Sequence, residues 1–328
     1  MAWFLGHGQI SQRRAEGVGP FTPTAPVPTQ NAILKDLLAL FQRDRANVAA
    51  GRYRMPHDLL PDAREAVRIS QRFFRDFDDV NRRRNTAAHQ EVFEATGKAS
   101  AYPRYYLQNF HYQTDGWFSA DSAELYDFQV EVLFNGGADA MRRQALLPLG
   151  AFLKDKRIAD QPMLDLATGT ARFLSFVKDN YPRLPVTALD LSLPYLAKAR
   201  RNLARWSWSD FVQAPAEQLP FADGSLAVVS CVYLFHELPR KVRHQVAAEI
   251  ARVLRPGGRL IFVDAFQKGD RPAFEGLLEL FPISHHEPYF TDYTGHDLTE
   301  VFGAAGLAHR GSEMAFMSKV AVFDKLPA

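Results

Sequence analysis

The stretch best suited to chemistry through the backbone is Ala167-Thr-Gly169-Thr-Ala171. Small residues at every second position leave a ligand room to reach main-chain N–H groups, and Gly169 can take a positive φ. The first N–H groups of a helix have no partner within it, so such a turn at a helix start offers a row of free donors. Spacing narrows the ligand. A dinucleotide loop of the G-x-G-x-x-G kind needs its third small residue where Arg172 stands, which argues against NAD. Asp190 ends the apolar run Val186-Thr-Ala-Leu, where a carboxylate can accept both hydroxyls of a ribose; capping a helix ahead of Ser192 is the competing role. His236 follows the apolar run from Leu226 to Val232. Its imidazole, with an ordinary pKa near ~6.5, can take a proton at neutral pH, although capping or packing would also account for it.

Two further stretches concentrate polar tips on apolar bodies. Residues 102–118 are the densest aromatic cluster of a chain that is 12% aromatic, and they follow neither a helical nor a strand period. Tyr105, Tyr106, His111 and Tyr112 would suit a pocket wall, with plain packing as the alternative. In Ile283-Ser-His-His-Glu-Pro-Tyr-Phe290, His285, His286 and Glu287 are adjacent rather than spaced to share one face, so no metal site is expected.

The elements that must position these residues alternate. Apolar runs at 163–166, 186–190, 211–212, 226–232 and 260–264 read as strands, separated by helices from Ala171, over 195–205 and over 241–254. This rhythm predicts a mostly parallel, doubly wound α/β sheet, closed by a hairpin-like pair over 314–323 that turns near Ser318-Lys319. Upstream, the spacing predicts helices from an Asn31 cap through Phe41, from Pro61 to about Val80, over 123–134 and over 139–153. Arg64, Arg68, Arg72 and Arg75 form a stripe interleaved with acids, which reads as a solvated, salt-bridged face. Repeated prolines from Pro20 to Pro28 favour an extended arm over another surface.

Composition excludes several classes. With 328 residues and 47% hydrophobic content the chain can fill a substantial core, and 39 Lys plus Arg against 37 Asp plus Glu give no reason to expect nucleic acid. The single cysteine, Cys231, precludes an internal disulfide or a cysteine metal cluster. No apolar run approaches the ~20 residues of a membrane span, and a soluble, cytoplasmic protein is expected.

The succession Asp165-x-Ala167-x-Gly169-x-Ala171, then Asp190, then Ala216-Glu217-Gln-Leu-Pro-Phe-Ala-Asp223-Gly-Ser225, then Arg252-Val-Leu-Arg-Pro-Gly-Gly258 resembles class I S-adenosylmethionine-dependent methyltransferases. It is closest to the type 11 group that includes ubiquinone and menaquinone biosynthesis methyltransferases. Two of the family's three motif glycines are alanine here. The resemblance covers about residues 138–328 and implies a Rossmann-like, seven-stranded methyltransferase sheet with S-adenosylmethionine as cofactor. Ala167, Gly169 and Ala171 would seat the methionyl part, Asp190 the ribose, and Ala216 and Glu217 the adenine region. Residues 230–232, ending at Val232, would lie beneath the reacting sulfur, and Asp165 and Leu191 complete the cofactor set.

The expected organisation is a Pro-rich tail or arm over 1–30, a helical, aromatic-rich accessory or lid region over 31–137 and the S-adenosylmethionine-binding methyltransferase domain over 138–328. The expected function is methyl transfer to a small aromatic or apolar molecule, with His236 as candidate base and Tyr106, His111, Tyr112, His285, His286 and Tyr289 as candidate acceptor contacts. Residues 102–118 are expected to close over the acceptor rather than the cofactor. A non-catalytic binding or structural module on this fold, and an S-adenosylmethionine enzyme of other chemistry, stay open at this point, as does the oligomeric state.

Overall fold

The computed structural model describes residues 4, 6–7, 21–59, 62–96 and 102–326. Its sheet has seven strands in the order β3-β2-β1-β4-β5-β7-β6, namely β1 (Met163–Leu166), β2 (Val186–Asp190), β3 (Ser209–Gln213), β4 (Leu226–Val232), β5 (Leu254–Ala265), β6 (Leu307–Ala315) and β7 (Ser318–Lys325). The first five are mutually parallel, and β7 runs antiparallel between β5 and β6. This is the Rossmann-like methyltransferase sheet that the sequence led us to expect.

Side chains alternate across a strand, so each central strand feeds two cores. Met163, Val186, Ala188, Val228, Ile261 and Val263 face one layer, with Phe173, Phe176 and Val177 of helix Arg172–Asn180. Leu164, Leu166, Leu189, Val229, Cys231 and Phe262 face the other, with Val246 and Ile250 of helix Arg240–Val253 and Phe302 of helix Leu298–Ala304. Because both faces are covered, the strands read as continuous apolar runs rather than alternating ones. Each fully buried Val, Leu or Phe contributes about 1.5–3 kcal/mol. An exposed ion pair such as Arg68–Glu65 contributes about 0–1, so these two layers dominate the stability. Leu37 and Leu40 of helix Gln30–Ala49 enter the first layer beside Met141, which ties the N-terminal region to the sheet.

Several boundaries differ from the sequence reading for local reasons. Helix Gln30–Ala49 is capped by Thr29, whose Oγ1 accepts from Ala32 N at 3.2 Å, while Asn31 lies inside the first turn. Helix Ala63–Thr86 is capped by Asp62 and runs past Val80; Pro61 lies outside the described residues. The stretch 139–153 splits into helices Ala138–Arg143 and Leu146–Leu153, because Pro148 has no N–H for the Gln144 carbonyl and the turn tightens there. β5 starts at Leu254 and pairs through an irregularity between Leu226 and Val228, which draws Pro256-Gly-Gly into the strand. The last hairpin turns at Phe316-Met317, with Phe316 at φ 56°, and not at Ser318-Lys319. Exposed polar residues of β6 had masked that strand.

The described part of the Pro-rich arm, residues 21–29, lies on the chain's own surface, while residues 8–20 lie outside the description. Glu279 accepts from Thr24 N (2.6 Å), Thr24 Oγ1 (2.7 Å) and Ala25 N (3.2 Å), and Gly276 N donates to Pro26 O at 2.8 Å. Both Gly276 and Glu279 belong to helix Glu275–Ser284. A Cβ on Gly276 would meet Val27 Cγ2 at 2.6 Å and Ala25 O at 2.7 Å, so only glycine lets the arm sit this close. Gly276→Ala is expected to cost about 1–3 kcal/mol, the usual range for overpacking, with faster proteolysis within residues 21–29. Urea unfolding and limited proteolysis measure both, and a variant of unchanged stability and cleavage would mean that the arm does not hold this position.

Candidate functional site

The turn after β1 explains the spacing of its small residues. Ala167, Gly169 and Ala171 all take left-handed φ, at 54°, 58° and 62°. That conformation costs a non-glycine residue roughly 1–2 kcal/mol, and alanine is the smallest side chain that bears it. Asp165, buried at the base of the turn, accepts from Thr168 Oγ1 at 2.6 Å and from Ser230 Oγ at 2.5 Å, which fixes β1, the turn and β4 to one another. Burial raises its pKa to about 6 against the opposing effect of those two donors. Arg172, the residue that argued against a dinucleotide, turns its guanidinium to Asp139, at 2.5 and 2.9 Å, and to Asp58.

A crevice opens at the C-terminal ends of β1, β2, β3 and β4, beside the point where strand order reverses between β1 and β4. This is where open α/β sheets take ligands. Ala167, Gly169, Asp190, Leu191, Ala216 and Tyr106 are among its lining residues. Asp190 Oδ2 accepts from Gly169 N and Oδ1 from Ser192 N, each at 2.8 Å, so the carboxylate is held in one orientation with acceptor capacity left. Ser192 itself caps helix Leu193–Asn202 through its own side chain, which leaves Asp190 free of that competing role.

A second cavity, of about 320 Å³, lies under helix Glu275–Ser284 and is mainly apolar, with Leu277, Phe281, Phe134 and Phe290 in its wall. Tyr126, Tyr233 and Glu237 line both cavities and form the partition between them. His236, His111 and His285 also border the second one.

The loop after β4 is shaped by Asp264, at the end of β5 and fully buried. Its carboxylate accepts from Phe235 N (2.8 Å), His236 N (3.4 Å) and Ala265 N (2.7 Å) and meets His236 Nδ1 at 2.5 Å. Burial alone would lower the pKa of His236, but Asp264, with Glu287 and Glu237 beyond it, raises it to about 9. The ordinary value near ~6.5 assumed from sequence does not hold here. His111 bridges two acids, with Nδ1 2.9 Å from Glu287 Oε1 and Nε2 3.4 Å from Glu237 Oε1. Despite burial, those carboxylates raise its pKa to about 10.

Other residues singled out from sequence stand elsewhere. Within 102–118, Tyr105, Tyr106, Phe110 and Trp117 line the Asp190 crevice and only His111 lines the apolar cavity, contrary to the expectation for the segment as a whole. Left-handed φ at His111 (54°) and Tyr112 (56°) reverses the chain there and sends the two groups of rings in different directions. Tyr112 is buried with its ring 5.7 Å from that of His286. His286 stacks on His89 and bonds Gln108 Oε1 at 2.7 Å, and neither His286 nor Tyr289 lines either cavity. Glu217 points both oxygens at Tyr105 Oη, at 2.8 and 2.9 Å, which takes its carboxylate out of the crevice. Ala171 is buried at the helix start, and Val232 packs on the core while Tyr233 and Leu234 take the lining positions. Tyr126, Tyr233 and Glu237 were missed; the adjacency of Glu237 to His236 was the available signal.

Residues 163–258 match the family model described as a methyltransferase domain. The chain is 34% identical over 146 residues to a demethylmenaquinone methyltransferase of Thermus thermophilus, which covers 44% of this chain and 63% of that one. It is 31% identical over 221 residues to a demethylmenaquinone methyltransferase of Beutenbergia cavernae, which covers 63% of this chain and 85% of that one. It thus spans less than two thirds of the Thermus relative and most of the Beutenbergia one. Among solved structures it is similar to a SAM-dependent methyltransferase from Aquifex aeolicus, with a TM-score of 0.46 at 15% identity, covering 64% of this chain and 100% of that one.

Removing Asp264 leaves three N–H groups and a buried imidazole without their acceptor. Asp264→Ala is therefore expected to lower the unfolding free energy by about 3–5 kcal/mol, as for other broken buried pairs. Denaturant titration measures it, and a loss within about 0.5 kcal/mol, typical of surface changes, would show that the loop does not depend on this carboxylate.

Proposed function

The chain belongs to the class I S-adenosylmethionine-dependent methyltransferases, and from that premise we propose that it methylates a small aromatic or apolar molecule held in the cavity under helix Glu275–Ser284. The observation that carries this reading is that Tyr126, Tyr233 and Glu237 line both cavities, so the two adjoin at these side chains and a methyl and an acceptor atom have to come into direct contact at that junction.

The crevice residues fit the cofactor. Where the turn lines the crevice it presents only Ala167 and Gly169, with the Thr168 hydroxyl turned to Asp165, so a ligand's methionyl part can approach the backbone closely. Asp190, with Leu191 beside it, keeps lone pairs for ribose hydroxyls, and Ala216 borders the crevice where an adenine would lie. When bound, S-adenosylmethionine supplies a methyl group made electrophilic by the sulfonium that carries it. Displacement at such a carbon asks the protein mainly for approach and alignment. The aromatic partition excludes water from that approach, and the apolar wall selects an acceptor of matching character.

An oxygen or nitrogen acceptor must also lose a proton. His236 is oriented by Asp264 at Nδ1, which leaves Nε2 to receive it, and the same carboxylate stabilises the imidazolium that forms. The pairing strengthens His236 as a base while reducing the fraction that is unprotonated at neutral pH. A ubiquinone- or menaquinone-type precursor, as the relatives' names suggest, is an acceptor of suitable aromatic character.

Two substitutions separate the roles. Asp190→Ala should weaken S-adenosylmethionine binding by about 1.5–3 kcal/mol, the scale for hydrogen bonds to a charged group. His236→Ala should leave that affinity nearly intact and lower kcat by about 10²–10⁴. Calorimetry and a labelled-methyl assay measure them. An unchanged Kd in a folded Asp190 variant would take the cofactor out of this crevice, and an unchanged kcat in the His236 variant would remove the base.

A further inference from the structure

We propose that His111, Glu237 and Glu287 form a binding site for one divalent transition-metal ion of the zinc, manganese or iron(II) type, set in the wall of the apolar cavity. The three side chains come from separate parts of the chain: the 3₁₀ turn Phe110–Tyr112, the 3₁₀ turn Phe235–Glu237, and the loop between helices Glu275–Ser284 and Phe290–Thr294. One ligand atom from each lies within 4.8 Å of the others. Bonds of about 2.0–2.2 Å to a shared ion place ligand atoms roughly 3–4 Å apart, so the three side chains would have to close by up to about 1 Å, and one of the two carboxylates to turn to the imidazole nitrogen that the ion takes.

Glu287 is the independent pointer to a ligand. Its side chain is fully buried, and neither carboxylate oxygen accepts an aligned hydrogen bond. Oε1 stands 2.9 Å from His111 Nδ1, and Oε2 has no partner among the described residues. An ionised carboxylate taken from water without a full set of donors is costly. Glu237 adds a second carboxylate 3.4 Å from the other nitrogen of the same imidazole, and a divalent cation would neutralise the pair. One imidazole nitrogen and two carboxylate oxygens suit zinc, manganese or iron(II). His111 is also held at φ 54°, a conformation that must be sustained by its surroundings. The adjacency of His285, His286 and Glu287 argued against a metal, but Glu287 meets partners that are distant in sequence.

His111 and Glu237 border the apolar cavity while Glu287 sits behind them, so the open coordination positions of a bound ion would face the acceptor. An oxygen or nitrogen of the acceptor is the natural occupant, beside His236, which borders the same cavity. This last step rests on the methyltransferase reading above, whereas the ion site itself does not.

The test uses the full chain, stripped with a chelator, desalted and dialysed against Zn²⁺ without cofactor or acceptor. One equivalent per chain is expected in the wild type. Losing only a partner of a ligand typically costs about 10–100-fold in affinity, so Glu287→Gln and Glu237→Gln should each lose at least that much. His286→Ala, outside the set, should bind as the wild type does. X-ray absorption on the zinc-loaded wild type gives a readout that needs no variant: imidazole scattering with oxygen neighbours is expected. Absence of a bound equivalent, undiminished binding in both glutamine variants, or a shell without imidazole would each overturn the proposal. S-adenosylmethionine affinity, measured on the same stripped protein, is expected to persist whichever result is obtained, so failure here leaves the cofactor reading standing.

Discussion

The constraint on which the site depends is the buried carboxylate of Asp264. Placed at the end of β5, it has no water to solvate it and must find its donors in the protein. It finds them in the N–H groups of Phe235, His236 and Ala265 and in the His236 ring, so the loop after β4 has one low-energy path. That path places Tyr233 and Glu237 between the cavities and His236 at the edge of the second. Asp165 does the same for the neighbouring junction, joining the β1 turn to Ser230 of β4. Two buried acids at the ends of β1 and β5, on either side of β4, thus turn a generic sheet into a specific crevice.

Above this scaffold, the N-terminal region completes the enclosure. Residues 102–118 roof the Asp190 crevice and send His111 into the wall of the apolar cavity, while the arm over 21–29 clasps the helix that covers that cavity. The second cavity therefore has walls from the sheet, from the aromatic segment and from an insertion between β5 and β6. Acceptor selectivity would follow from those added pieces, whereas the floor of the Asp190 crevice comes from the strand ends and their turns and only its roof from the N-terminal region.

What the sequence made legible was local. The strand-turn-helix at Met163 to Leu174, Asp190 at a strand end and His236 after β4 each announce themselves within a dozen residues, because apolar period and small-residue spacing are short-range signals. Convergence was not legible. His111, Glu237 and Glu287 meet only because a left-handed backbone at 111 and 112 reverses an aperiodic segment, and no spacing rule encodes that. Glu217 fitted its motif by position, yet Tyr105, more than a hundred residues earlier, takes up its carboxylate. Tyr126 carried no signal of its own in the helix expected over 123–134, and its place in the partition depends on how helix Ala120–Leu133 lies across the turn at Gly169.

The central claim is that cofactor and acceptor come into contact at the junction of the two cavities, which Tyr126, Tyr233 and Glu237 line from both sides. A crystal structure with S-adenosylhomocysteine tests it most directly. The ribose should lie against Asp190 and the sulfur should be directed at that junction, with the apolar cavity on its far side. Ligand density outside the crevice, or a sulfur turned away from the partition, would contradict the account.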